Sequence, residues 1–168
     1  MNKTSKIGVY IGLVIIIGLF AWVSTAPYLS NQGLGRTPGL LIGGMLTDAP
    51  DDFTPLNESV PGPLFMKQAG FPPLVVYLSW VGTEDGVITA TRPDDGYWAR
   101  RIRARGGDGW LRIGDSTYAM EAREILGDQR LEMMQQWADK SGRSLDEALY
   151  EGSEPLREWE VFFWEPKT

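Results

Sequence analysis

The sequence predicts a mainly β domain with some α: a small antiparallel β-barrel with helices at its rim, behind one amino-terminal transmembrane helix. Three observations predict it. Between residues 63 and 125, β-branched and aromatic runs alternate with glycine-centred turns, the pattern of consecutive hairpins. Short helical patterns are inserted between those hairpins and before a last aromatic strand. An uncharged apolar stretch runs from Ile7 to about Ala26, behind Lys3 and Lys6.

That stretch defines the first of three regions, 1–29. Roughly twenty helical residues at about 1.5 Å each span about 30 Å, the thickness of a bilayer's hydrocarbon core. Tyr10 and Trp22 sit near its two ends, where interfacial aromatics are favoured, and Pro27 is a natural stop. The rival reading is a cleaved signal peptide ending at Ser24-Thr25-Ala26, although the apolar core exceeds the usual signal length. A buried core helix is the third reading, and such a helix rarely lacks polar residues on every face. Lys3 and Lys6 precede the span, whereas Arg36 and then Asp48, Asp51 and Asp52 follow it. The expectation is a single-pass protein with a cytoplasmic amino terminus and its domain on the outer, periplasmic face.

Residues 30–39 are rich in Gly, Asn, Ser and Pro and read as a linker. The domain is expected from 40 to 168. "GLLIGGML" reads as a buried strand with a bulge or a close backbone approach at Gly43-Gly44. Residues 47–63 read as an irregular, proline-rich loop. Within it, Asn57-Glu58-Ser59 fits a glycosylation acceptor, a pattern frequent by chance. "PLFMKQAG" and "PLVVYLSWV" read as strands, and "VITATR" pairs with the second through a turn at Asp85-Gly86. Asp94 or Asp95 caps a short helix running to about Ala104, and Gly106-Gly107 end it. "GWLRIGDSTYAMEAREI" is a further hairpin. A helix follows over about 128–140, with Leu131, Met134, Trp137 and Ala138 as its apolar stripe. "SLDE", residues 144–147, is a capping box that starts a second short helix ending near Gly152. "EWEVFFWEP" is a last strand returning to the sheet. Its Trp159, Val161 and Phe163 point to one side, and Phe162 and Trp164 to the other. One side is core; the other is open to a partner chain or the membrane interface.

Composition narrows the chemistry. The chain has neither histidine nor cysteine. That removes the usual Ser-His-Asp and Cys-His nucleophiles, common zinc sites, histidine-ligated haem and iron–sulfur clusters. Removing Lys3 and Lys6 from sixteen basic residues leaves fourteen against twenty-two acidic ones, a net charge of −8 for the soluble part. Nucleic acid is therefore not an expected partner. Adjacent carboxylates such as Asp51-Asp52 read as solvated loop residues, and no metal is expected.

Against this acidic background stands "RPDDGYWARRIRARGG", residues 92–107, with five arginines. One reading is the ordinary basic end of a short helix, favoured by the helix dipole. The other is an anion site, since guanidinium groups bind phosphate or carboxylate bidentately. Arg92 lies just before the helix start, where free amides also favour an anion. Arg100 and Arg101 point to different faces, and Arg103 and Arg105 read as surface residues. Tyr97 and Trp98 have two readings as well: stacking on a planar ligand, or, for Trp98 with Ile102, the buried face of the helix. Tyr77 and Trp80 in the central strand read as core, with pocket lining as the second reading.

The blocks "FPPLVVYLSWVGTEDGVITATR" and "GYWARRIRARGGDGWLRIGDSTYAMEARE" resemble the central hairpin and following block of the flavin-binding split barrels. These include pyridoxamine-phosphate-oxidase-like and deazaflavin-dependent nitroreductase-like proteins. "GLLIGGMLT" resembles the first strand of their membrane-anchored members. The family's short helix reads K-x-W-x-x-N-L, followed by a D-P-x-V turn. Here Gly96 stands at the lysine, Arg101 at the asparagine, and "GGDG" at the turn. The resemblance implies FMN or deazaflavin as cofactor, possible oxidoreductase chemistry and a homodimer with the cofactor between subunits. It places Arg92, Arg100 and Arg101 at the cofactor phosphate and Tyr97 or Trp98 beside the ring. No catalytic residue is singled out. The substituted lysine and asparagine keep an alternative open, a non-enzymatic membrane-associated accessory module with a degenerate pocket.

Overall fold

Glycines, prolines and the alternation of apolar side chains set where the strands start and stop. The structure, a computed structural model, describes residues 3–29, 41–73, 75–93, 96–149 and 151–167. Helix α1 (Lys3–Leu29) comes first and runs past Pro27. The strands and helices that follow are β1 (Met45–Leu46), α2 (Leu56–Ser59), β2 (Leu64–Gln68), β3 (Val75–Leu78), β4 (Trp80–Gly82) and β5 (Val87–Thr91). Then come α3 (Tyr97–Arg105), β6 (Asp108–Ile113), β7 (Ser116–Ile125), α4 (Gly127–Lys140) and β8 (Glu160–Pro166). A 3-10 turn, Leu156–Glu158, precedes β8.

The strand order is β3-β2-β6-β7-β8-β5-β4, and every pair along it is antiparallel. The sequence reads 73–81 as one strand, but it breaks at Ser79. The break has a physical cause. β3 pairs with β2 at one end of the order, while β4 pairs with β5 at the other. One run of chain therefore serves both edges, and the sheet curls into a nearly closed antiparallel barrel. That is the architecture expected, and it is compatible with a split barrel.

β8 lies inside the sheet, between β7 and β5. Its alternation holds, but both faces are covered. Phe162 and Trp164 fill the barrel with Leu64, Met66, Leu111 and Met120, all almost fully buried. Trp159, Val161 and Phe163 form a second core with Met134, Trp137 and Ala138 of α4. No side of β8 is left for a partner chain or a membrane; α4 takes that place. Leu131, expected in the α4 stripe, is instead exposed.

Three other readings change. "GLLIGGML" is not a buried strand, since only Met45 and Leu46 pair, in parallel with β7, and both are exposed. Gly43 and Gly44 have positive φ, 65° and 77°, which interrupts an extended run. The close approach expected there is present, because a Cβ at Gly44 would lie 2.5 Å from the Thr117 hydroxyl. The second helix after "SLDE" does not form. Glu147 does reach back to the Ser144 amide at 2.9 Å, as in a capping box. However, the Glu147 and Leu145 carbonyls accept from Leu156 and Arg157 at 2.9 Å each, so they are taken before a helix can use them. Phe53, assigned to an irregular loop, is fully buried in the barrel core. The expected linker and the capping residues Asp94 and Asp95 lie outside the described residues.

Among the described residues, no helix is long and apolar enough to cross a membrane. The side chains described in α1 are those of residues 7–20, a length of about 21 Å at about 1.5 Å per residue.

The end of α4 is tied to the barrel by Lys140. Its ammonium lies 3.6 Å from the centre of the Trp80 ring and donates to Asn57 Oδ1 at 3.0 Å. Asn57 also exchanges two hydrogen bonds with the Gly82 backbone, at 2.7 and 2.8 Å. The amide of the glycosylation pattern is thus engaged in the fold. Burial pushes the Lys140 pKa down to about 8.

Two predictions follow from this packing. A Cβ at Gly107 would lie 1.8 Å from the Ala122 carbonyl oxygen, a backbone atom that cannot swing away. Gly107→Ala should lower the unfolding free energy by about 1–3 kcal/mol in denaturant titration. For Lys140, the unfolded chain binds more protons than the folded one between about pH 8 and the ordinary lysine value of 10.5. Wild-type stability relative to Lys140→Met should therefore rise with pH across that window, measured as paired melting curves.

Candidate functional site

Helix α3 is where the sequence places its charge, and the structure divides its arginines among several tasks. Gly96 stands before the helix, and Gly106, with φ 89°, ends it. Gln68 of β2 donates to the Trp98 carbonyl at 2.8 Å, fixing the helix against the sheet.

Arg101 is buried. Its guanidinium donates to the Ala69 carbonyl at 2.7 Å and to the Pro72 carbonyl, and lies 3.4 Å from the Tyr97 hydroxyl. Its Nε is also buried and has no partner among the described residues. Arg105, one turn further on, donates to the Phe71 carbonyl at 2.7 Å. These two arginines hold the loop that joins β2 to β3. Arg103 forks onto Glu124 at 2.5 and 2.8 Å and reaches Glu160 at 2.9 Å. The Glu124 hydrogen bond, with Glu160 adding to it against the cost of burial, raises the Arg103 pKa above the ordinary arginine value. Arg103 thereby ties α3 to β7 and β8. Arg100 is exposed. The expectation that Arg100 and Arg101 face different ways is met.

Arg92 and Trp98 do come together. They border one cavity of about 220 Å³, which opens where the chain bends at Ser79. Thr91 and Gly96 lie beside Arg92 on that wall. Tyr77, Trp137 and Trp159 supply its aromatic surface. The Trp137 and Trp159 rings are 5.9 Å apart at 38°. The cavity thus lies between the two cores, with β3–β4, β5, α3 and α4 contributing walls. Tyr97, Arg100 and Arg101 are not among its lining residues.

The cavity's surface is more polar than apolar. The Arg92 guanidinium and the Ser79 and Thr91 hydroxyls carry donors. Trp137 contributes to the wall as a residue, and its Nε1–H is buried without a hydrogen-bond partner among the described residues. An unsatisfied buried N–H of this kind costs about 1–3 kcal/mol. Trp98 packs edge-on against Phe162, with centroids 4.8 Å apart, so the helix-face reading of this residue holds as well as its place on the cavity wall.

This donor set suits a planar ring bearing a carbonyl or one anionic group. Ligand pockets usually run from about 300 to 1,000 Å³. The described cavity is smaller and takes a ring-sized group more readily than a whole mononucleotide. Among the described residues, no group of three or more His, Cys, Asp or Glu is placed to hold a metal ion.

Sequence reasoning found Arg92 and Trp98 because they flank a recognisable helix start. It missed Ser79, Trp137 and Trp159 as wall residues. They lie on separate elements, and nothing local marks them as neighbours. No protein-family model matches the chain, and no curated protein matches it.

Arg101→Ala should strip two part-buried carbonyls of a charged donor and cost about 2–3 kcal/mol in chemical unfolding. Arg100→Ala should change stability by no more than about 0.5 kcal/mol. Equal effects of the two substitutions would contradict this division of roles.

Proposed function

We propose that this chain is a membrane-anchored split-barrel protein whose cavity binds a planar anionic ligand, with a flavin-type cofactor, FMN or deazaflavin, as the leading candidate. The observation that carries the proposal is the convergence of Arg92, Thr91, Trp98 and Tyr77 on one cavity. In it, Arg92 with Thr91 holds the anionic group. Trp98 and Tyr77 flank the ring and exclude water. A bound flavin or deazaflavin supplies hydride or electron transfer, and the protein supplies position and electrostatics. A second copy of the chain covers the remainder of a mononucleotide, as the split-barrel resemblance implies.

The anchor rests on the uncharged run from Ile7 to Ala26. Apolar side chains such as Ile7, Val9, Tyr10, Leu13, Ile16 and Phe20 are exposed around α1 rather than gathered into a stripe against the barrel. The positive-inside rule puts the domain on the outer face.

One observation favours a second reading, an accessory module with a degenerate pocket. Arg101, which stands where the family has its asparagine, is engaged by backbone carbonyls.

The detergent-solubilised protein decides between them. Titration with FMN and with a deazaflavin should quench tryptophan fluorescence to saturation. Arg92→Ala should weaken binding about tenfold, the loss of about 1.4 kcal/mol, while Arg100→Ala should leave it unchanged. A colourless protein that takes up neither compound would sink the cofactor reading and leave the accessory one. Light scattering of the same sample reports whether two copies associate.

A further inference from the structure

The β2–β3 loop, 69–74, carries a side chain that neither core explains. Phe71 is 81% exposed. A lone exposed apolar residue is ordinary, but the way this one is held is not. The carbonyls of Ala69, Phe71 and Pro72 are all occupied by arginine donors from α3, one of them the buried Arg101. Gly70 precedes Phe71 and two prolines follow it. The loop is thus braced from behind while its aromatic points to solvent.

Tyr97 continues the same surface. It is 46% exposed, and its hydroxyl meets the Arg101 guanidinium that also binds Pro72. Arg100 and Arg105 are exposed on the same helix. Between residues 92 and 105 the chain carries five arginines against two aspartates, within a soluble part of net charge −8. Two aromatics beside two exposed arginines are the composition of a bilayer's interfacial zone, and arginine is attracted to anionic headgroups. Helix α1 also comes against β3, the strand into which this loop leads.

We propose that Phe71 and Tyr97, flanked by Arg100 and Arg105, form a membrane-contacting face that seats the barrel on an anionic phospholipid surface. The inference rests on the membrane-anchor reading of α1. It fixes which side of the domain faces the lipid. Phe71 and Tyr97 enter the interfacial zone, and the two arginines pair with lipid phosphates. An otherwise acidic domain is repelled by such a surface everywhere else, so the contact also orients the cavity.

The chain has no cysteine, so single labels can be placed cleanly. Full-length Phe71→Cys and Glu84→Cys chains carry an environment-sensitive fluorophore and are reconstituted into phosphatidylcholine vesicles with or without phosphatidylglycerol. Glu84 is exposed in the β4–β5 turn, at the opposite end of the β3–β4 run. The expected result is several-fold stronger quenching at position 71 than at 84 by nitroxide-bearing lipid. Phosphatidylglycerol should strengthen it, and Arg100→Glu, which leaves the loop's hydrogen bonds intact, should weaken it. If the chain co-floats with vesicles but positions 71 and 84 quench equally, the face is wrong and the anchor stands. If the chain does not co-float, the anchor fails and the face fails with it.

Discussion

β8 carries large apolar side chains on both faces, and water must be kept from both. The barrel interior solves one side: Phe162 and Trp164 close it against strands that the β3–β4 bend brings into a ring. The other side needs a separate cover, and α4 provides it with Met134, Trp137 and Ala138. Burial of that many aromatic and aliphatic groups, at about 25 cal/mol per Å² of apolar area, outweighs any single hydrogen bond in the domain. The position of α4 therefore follows from β8. The cavity follows from α4, because Trp137 and Trp159 form its far wall.

Polar groups are fitted around this arrangement at some cost. Thr89, wholly buried, accepts a hydrogen bond from the Trp164 indole at 3.0 Å. Arg101 gives up water for the carbonyls of a loop, with no carboxylate among its hydrogen-bond partners in the described residues. Arg103 does find carboxylates, and its fork joins a helix to two strands. The arginine-rich stretch thus splits into bracing residues at Arg101, Arg103 and the exposed Arg105, a cavity residue at Arg92, and an exposed Arg100. Its positive charge is not spent on one ligand. The Trp137 N–H is the contrasting case, a buried donor for which packing has left no acceptor among the described residues.

Much of the strand layout was legible because turns and alternation are local signals. Asp85-Gly86 marked the β4–β5 hairpin, and Gly114-Asp115 marked the β6–β7 one. The site was legible only in part. Arg92 and Trp98 sit beside a visible helix start, so a short stretch of sequence could pair them. Arg101 has the same local credentials, yet its guanidinium meets carbonyls some thirty residues earlier in the chain. The box at Ser144 shows the limit most clearly: its side-chain bond forms, but the helix it signals loses its carbonyls to residues 156 and 157.

By itself the sequence determined the hairpin order, the positions of α3 and α4, the acidic balance, the absence of histidine and cysteine chemistry, and an apolar amino terminus. These depend on side-chain period, turn residues and composition, which act over a few neighbouring positions. Only the tertiary structure decided that the strand breaks at Ser79, that α4 covers the outer face of β8, and which arginine lines the cavity. Those outcomes depend on which distant groups compete for the same carbonyl or the same apolar face. That competition is settled when the barrel closes.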